Sequence, residues 1–132
     1  PMIFGAGEAW YAKPDAGALI VSPAEEILVE PHDAFVDDMI LAEGFARYEE
    51  NVTEPVTRLL SSWAGLRTFS PDRTLVLGSD PSEPSFIWCA GQGGYGMQSS
   101  PAAGQLLADL VNCKTPAIDA GAVGALDPKR FR

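Results

Sequence analysis

The sequence is poor in the residues that bind metals and make disulfides. It has a single histidine, His32, and two cysteines, Cys89 and Cys113, among 132 residues. A tetrahedral zinc site draws on clusters such as C-x-x-C with nearby histidines, and no such spacing is present, so no metal site is expected. The cysteines are far apart and demand no oxidising compartment, which makes the cytoplasm the default location. Cys89 lies in an apolar stretch and is expected as a buried, reduced thiol. Positive charge is also scarce: nine Lys and Arg face eighteen Asp and Glu, for a net charge of −9, and the cations are scattered. Such a surface repels phosphate backbones, which argues against nucleic-acid and anionic-membrane partners, and the acidity itself reads as solubility. No apolar run approaches the roughly 20 residues that span a bilayer, which excludes a transmembrane helix. No basic-then-apolar leader opens the chain. Its first residue is Pro1, as expected for excision from a longer protein or for removal of a preceding Met.

What is present is the balance of a globular domain, with 46% hydrophobic and 20% charged residues. Residues 8–22 predict a β-hairpin, two apolar segments flanking Pro14-Asp15-Ala16-Gly17, with the proline placed for the turn and the glycine for positive φ. In 37–52, Leu41, Phe45, Tyr48 and Val52 repeat at helical spacing, Asp37 and Asp38 suit the helix start, and Pro55 closes the segment. Residues 56–69 are rich in β-formers and predict a strand with an irregularity at Gly65. Ser70-Pro71-Asp72-Arg73 reads as a turn, with Asp72 a turn former rather than a base. Two short strands follow, TLVLG at 74–78 and SFIWCA at 85–90. After a glycine run, Ala103, Leu106, Leu107, Leu110 and Val111 predict a long helix. From Asn112 onward periodicity is weak and irregular chain is expected. Trp10, Trp63 and Trp88 are expected in the core, and His32 is given no role. The fold class is α+β, with antiparallel neighbours early and one strand-to-helix corner late.

That corner contains Gly91, Gly93 and Gly96, literally G-x-G-x-x-G. A dinucleotide fingerprint needs a second parallel strand after the helix, ending in an acidic residue. Asp119 is at roughly the right distance, but only Ala117 and Ile118 precede it after Pro116, too little for a strand. A P-loop lacks its G-K-[ST], and a kinase glycine loop would need a following strand. What is left is a bare backbone that a ligand can approach closely, with helix-start amides favouring negative charge; alternatively the glycines only permit a tight corner. The helix itself begins either with Ser100 as N-cap and Pro101 as first residue, or near Gly96 with Pro101 in its first turns.

Three stretches taken together resemble one family. WAGLRTFSPDR (63–73) with LVLG (75–78) is similar to the W-x-G-x-R-P…D-G…P-x-I-G segment of FAD-dependent amino-acid oxidoreductases, the D-amino-acid oxidase, glycine oxidase and sarcosine oxidase group. AGQGGYGMQ (90–98), followed by P-A-x-G and L-x-x-D-L-V, resembles that family's final strand-helix corner, and AWYAKPDAG (9–17) its Y-x-x-P-x-x-G hairpin. The closing LDPKRF (126–131) also resembles its habitual ending. Order and spacing agree over essentially the whole chain. Gln92 stands where many members carry histidine, and Thr68 and Arg73 replace the usual proline and glycine; these departures bear on the substrate more than on the family.

The resemblance implies the C-terminal part of such an enzyme: an antiparallel, partial substrate-binding domain over 1–85 with a flanking helix, and over 86–132 the last segment of an FAD-binding domain whose N-terminal Rossmann part is missing. It implies oxidation of the C–N bond of an amino acid or related amine by hydride transfer to FAD, a cofactor this portion alone would not retain. Arg67 would grip the substrate carboxylate, a role that suits a planar, permanently charged group able to make two parallel hydrogen bonds. Tyr11 would place its hydroxyl near the same carboxylate. Gly93, Gly94, Tyr95, Gly96, Met97 and Gln98 would lie against the flavin ring. Two other classes accommodate the same residues: a non-enzymatic small-molecule or anion-binding α+β domain, and an interaction module. In either enzyme or module, apolar surface facing a missing domain would favour self-association.

Overall fold

A computed structural model describes residues 1–132, and the chain divides into two compact units, Pro1–Leu66 and Arg67–Arg132. The first is built on a three-stranded antiparallel sheet, β1 (Ile3–Phe4), β2 (Tyr11–Asp15) and β3 (Ala18–Ser22), in that order. The β2–β3 hairpin exists, but its turn is one step later than the sequence suggests. Asp15 pairs with Ala18, so the loop is only Ala16 and Gly17, both with positive φ, +46° and +84°. That is the two-residue turn whose twist matches the flanking strands. Pro14 is therefore a strand residue opposite Leu19. The alternation of an antiparallel ladder makes this pair non-hydrogen-bonded, so the missing proline N–H faces away from β3, beyond the reach of β1.

The helix α1 (Asp38–Glu49) packs on β3. Asp37 caps it, accepting from the amides of Met39 at 2.8 Å and Ile40 at 3.1 Å. Gly44 looks out of place in a helix interior, but a Cβ there would lie 3.2 Å from both Cβ and Cδ of Pro23, so the glycine allows close approach of that segment. Trp10, Ala12 and Tyr48 form the buried core of this unit, with Val21, Val52 and Val56 against them. The Trp10 and Tyr48 rings meet edge to face, centroids 5.9 Å apart.

The strand expected over 56–69 is absent: the segment is irregular, and Leu59, Leu60, Trp63 and Leu66 are exposed. β-forming side chains make a strand only where a ladder partner exists. Residues 56–69 have none, apart from one bond at Thr68 described below. Trp63 is consequently no core residue, and of the three tryptophans only Trp10 is buried.

The second unit begins with an antiparallel hairpin, β4 (Val76–Ser79) and β5 (Ile87–Ala90), followed by α2 (Gly96–Val111). Trp88 is partly exposed at 37%, its indole N–H donating to Asp80 at 2.9 Å, and Cys89 is exposed rather than buried. Leu77, Ala103 and Leu106 form the core, joined by Leu75, Leu107, Leu110, Val123 and Leu126. α2 takes the earlier of the two starts. Pro101 sits inside it, and the Met97 carbonyl that its absent N–H cannot reach accepts the Ser100 hydroxyl at 2.9 Å.

The tail is not irregular, as its weak periodicity suggests. It forms α3 (Ala120–Leu126), capped by Asp119, and a 3₁₀ turn (Pro128–Phe131), capped by Asp127 with Pro128 at its first position. The alanine- and glycine-rich α3 has too few large side chains to display a stripe; its signals are the two capping aspartates. Pro128 is buried against β4, where a Cβ on Gly78 would lie 3.3 Å from its Cδ.

Candidate functional site

The site is built where residues 67–74 meet the β5–α2 corner. Gly93 donates its amide to the Thr68 carbonyl at 2.9 Å, laying the Arg67–Phe69 segment along the glycine run. Each glycine of the run meets a different neighbour. A Cβ on Gly91 would lie 3.5 Å from the Cβ and amide nitrogen of Ser70. One on Gly93 would come 2.6 Å from Cε1 of Phe69, and one on Gly94 2.7 Å from Nη1 of Arg67. Gly91 and Gly93 also have positive φ, +71° and +53°. The corner is bare because the 67–70 segment occupies the space that side chains would take.

Arg67 and the glycine corner thus share one place in the second unit. Phe69 carries two guanidinium groups, with Cζ of Arg67 5.5 Å and Cζ of Arg73 4.8 Å from its ring centroid. Each contact is worth about 0.5–1 kcal/mol where partly exposed. Arg73 holds φ +60°, a backbone region costing a non-glycine residue about 1–2 kcal/mol, and its stacking on Phe69 offsets part of that. The amides of Gly96, Met97 and Gln98 precede the first helical bond of α2, from the Ser99 amide to the Tyr95 carbonyl at 3.0 Å, and so have no acceptor within the helix. Two arginines and the start of α2 are thus gathered at one corner.

The corner's support comes from the tail. Asp72 accepts from the Ser70 hydroxyl at 2.8 Å, the Thr74 amide at 3.1 Å, and Nε and Nη2 of Arg130 at 2.7 and 3.1 Å. The Arg130 guanidinium, followed by the Thr74 and Ser70 bonds, holds the Asp72 carboxyl far below the usual carboxylate range. Asp72 is a turn former, as its setting in S-P-D-R suggests. Sequence reasoning gave no role to Phe69, Ser70 or Arg130. The only signal for Arg130 is its place in LDPKRF, after an aspartate-proline cap.

Tyr11 belongs to the first unit. It is half-buried on β2, with its ring centroid 6.1 Å from that of Phe4. Tyr95 and Met97 are exposed at the start of α2, and Gln98 is exposed beside them. No group of acidic, histidine or cysteine side chains suited to a metal ion is present. No helix is long and apolar enough to cross a membrane.

The fold is mixed α+β, with Arg67 and Phe69 packed against a glycine-rich strand-helix corner, and β5–α2 is no dinucleotide βαβ unit, since β5 runs antiparallel to β4 and α2 leads into α3. The family model for FAD dependent oxidoreductases (DAO) matches residues 2–110. The chain belongs to the FAD-dependent oxidoreductase family.

Proposed function

We propose that this chain is the substrate-holding and flavin-facing C-terminal portion of an enzyme that oxidises the C–N bond of an amino acid or related amine. The observation that carries the reading is the convergence of Arg67 and the bare Gly93–Gly94 backbone, where a single added methyl would touch the guanidinium. The α2 amides before Ser99 lack helical acceptors and lie next to this corner, which supports a role facing an electron-rich ring. Gly93, Gly94, Tyr95, Gly96, Met97 and Gln98 would line that ring. When bound, FAD supplies the hydride acceptor.

The chain's own contribution is positioning. Arg67 holds the substrate carboxylate with two parallel hydrogen bonds. This fixes the α-carbon for loss of hydride, a gain from orientation rather than from acid–base chemistry. The substrate amine reacts in its neutral form and leaves as an imine, which water hydrolyses. The free amides at the start of α2 would favour negative charge on a cofactor held there.

The test is Arg67→Lys and Arg67→Ala in the flavin-loaded, full-length protein, with KM and kcat measured for a panel of amino acids and amines. Removing a bidentate charged contact should raise KM about a hundredfold or more for carboxylate-bearing substrates. Amines without a carboxylate should be unaffected. Equal KM values in parent and variants would remove the clamp role. Amino-acid binding without any flavin reduction would favour a non-enzymatic anion-binding domain.

A further inference from the structure

The guanidinium of Arg130 spends all five of its N–H groups on the protein. Nε donates to Asp72 Oδ2 at 2.7 Å, and Nη2 to Asp72 Oδ1 at 3.1 Å and the Thr74 carbonyl at 2.8 Å. Nη1 donates to the carbonyls of Leu126 at 2.8 Å and Asp127 at 3.3 Å. Its side chain is only 14% exposed, and its Cζ lies 4.2 Å from the Phe131 ring centroid. One side chain therefore ties the end of α3 to the 70–74 turn, across 58 residues of sequence.

The turn in turn carries the site. Ser70 is buried, and its hydroxyl has two acceptors within reach, Asp72 Oδ1 at 2.8 Å and the Thr74 carbonyl at 2.5 Å. Its backbone closes the turn, the carbonyl accepting from the Arg73 amide at 2.9 Å. Its Cβ and amide nitrogen lie against Gly91. Two residues earlier, Thr68 takes the Gly93 amide. Any shift of Ser70 is passed along three residues to Arg67 and across to the glycine run.

We propose that Arg130 and Asp72 are positioning residues for the site: a clamp from the chain's last turn that fixes Ser70, and through it the register of Arg67–Phe69 against Gly91–Gly94. The consequence for turnover rests on the carboxylate-clamp reading of Arg67; the mechanical coupling does not. Fork geometry rather than charge is the active feature, since a lysine has three donors on a point charge and cannot span Asp72, Thr74 and the α3 carbonyls together.

Hydrogen exchange on the full chain, resolved by residue, tests it. Asp72→Asn keeps the shape and an acceptor for Thr74 but turns one of the two oxygens that the fork grips into a donor; Arg130→Lys keeps the charge but loses the fork. The Gly93 amide reports the docking of Thr68, while the Leu106 and Leu107 amides inside α2 report the stability of the unit. In both variants Gly93 is expected to exchange at least about tenfold faster, with Leu106 and Leu107 changed by less than about threefold. If Gly93 is unchanged, or accelerates only by the factor seen in α2, the clamp is merely structural and the proposal fails. Loss of all α2 protection in both variants overturns it too. A second measurement uses the flavin-loaded protein, where Arg130→Lys should raise KM for amino acids about tenfold with a smaller change in kcat. Faster Gly93 exchange in a protein that shows no dependence on amino acids would keep the clamp and remove the oxidoreductase reading instead.

Discussion

Adjacent alanine substitutions at Gly93 and Gly94 should have opposite consequences, although both add one methyl group to the same turn. At Gly93 the methyl meets backbone strain and a ring together. The residue holds φ +53°, which costs an alanine about 1–2 kcal/mol, and its Cβ would stand 2.6 Å from Phe69 Cε1. Phe69 cannot yield freely, because Arg67 and Arg73 both stack on it, and overpacking of that kind costs about 1–3 kcal/mol. The expected loss is about 2–5 kcal/mol, or a Tm lower by about 10–40 °C for a unit of this size. At Gly94 the methyl meets only Nη1 of Arg67, at 2.7 Å, while Cζ is already at an ordinary 3.9 Å. A flexible side chain can swing away at the cost of its contact with Phe69, so stability should fall by no more than about 1 kcal/mol. On the proposed clamp reading, the displaced guanidinium would lose one or both carboxylate bonds, weakening substrate binding by about 10–100-fold. Thermal unfolding of both variants and KM for amino acids in the flavin-loaded protein are the assays. A Gly94→Ala variant that unfolds as readily as Gly93→Ala, or that binds amino acids like the parent, would refute the geometry on which the site rests.

Other consequences are more local. Asp37→Ala removes the cap of α1 and should cost about 1 kcal/mol, read as a lower denaturant midpoint for the first unit with unchanged m-value. Ala16→Asn places a residue that tolerates left-handed backbone where φ is +46°, and should stabilise the hairpin by up to about 1 kcal/mol; a lower Tm would show that the turn is not of the two-residue form. The Asp72 carboxyl is held low by Arg130, so its folded value lies below its unfolded one. Its stabilising contribution is present above the unfolded value near pH 4 and is lost as pH falls toward the folded one, and Asp72→Asn should therefore flatten the acid side of the Tm–pH curve of the second unit.

The sequence displayed those parts of the fold whose signals are periodic or capped. The α1 stripe, the Asp37 cap, the β4 and β5 segments and the Ala103–Leu110 face of α2 were all legible, because burial of one helix face or strand imposes a pattern on residue type. The segment 56–69 was misleading for the same reason in reverse: valine, threonine, leucine and tryptophan favour strands, yet propensity cannot supply a ladder partner. The tail was hard to read because α3 has too few large side chains for a stripe, leaving the capping aspartates as its local signals, while the Arg130–Asp72 contact spans 58 residues with no local signature. The hairpin turn slipped by a residue because Pro14 favours a turn by its φ but is equally at home at a strand position whose N–H needs no partner.

The glycine run carries the same lesson into the site. Its spelling, G-x-G-x-x-G, invites a nucleotide reading that the missing second strand rules out. Its physical reason lies outside the motif: Gly91 admits Ser70, Gly93 admits Phe69, and Gly94 admits Arg67. A bare stretch of backbone thus marks where another segment must approach, and what that segment brings decides the chemistry. Here it brings a guanidinium three residues ahead of a buried serine, and the serine is held by a carboxylate that a second guanidinium grips through a planar fork. The two arginines therefore have distinct tasks that substitution by lysine should separate. On the proposed clamp reading, the loss at Arg67 would fall on the carboxylate of the substrate, whereas at Arg130 it would fall first on the docking of Thr68 on Gly93 and reach the substrate only through it.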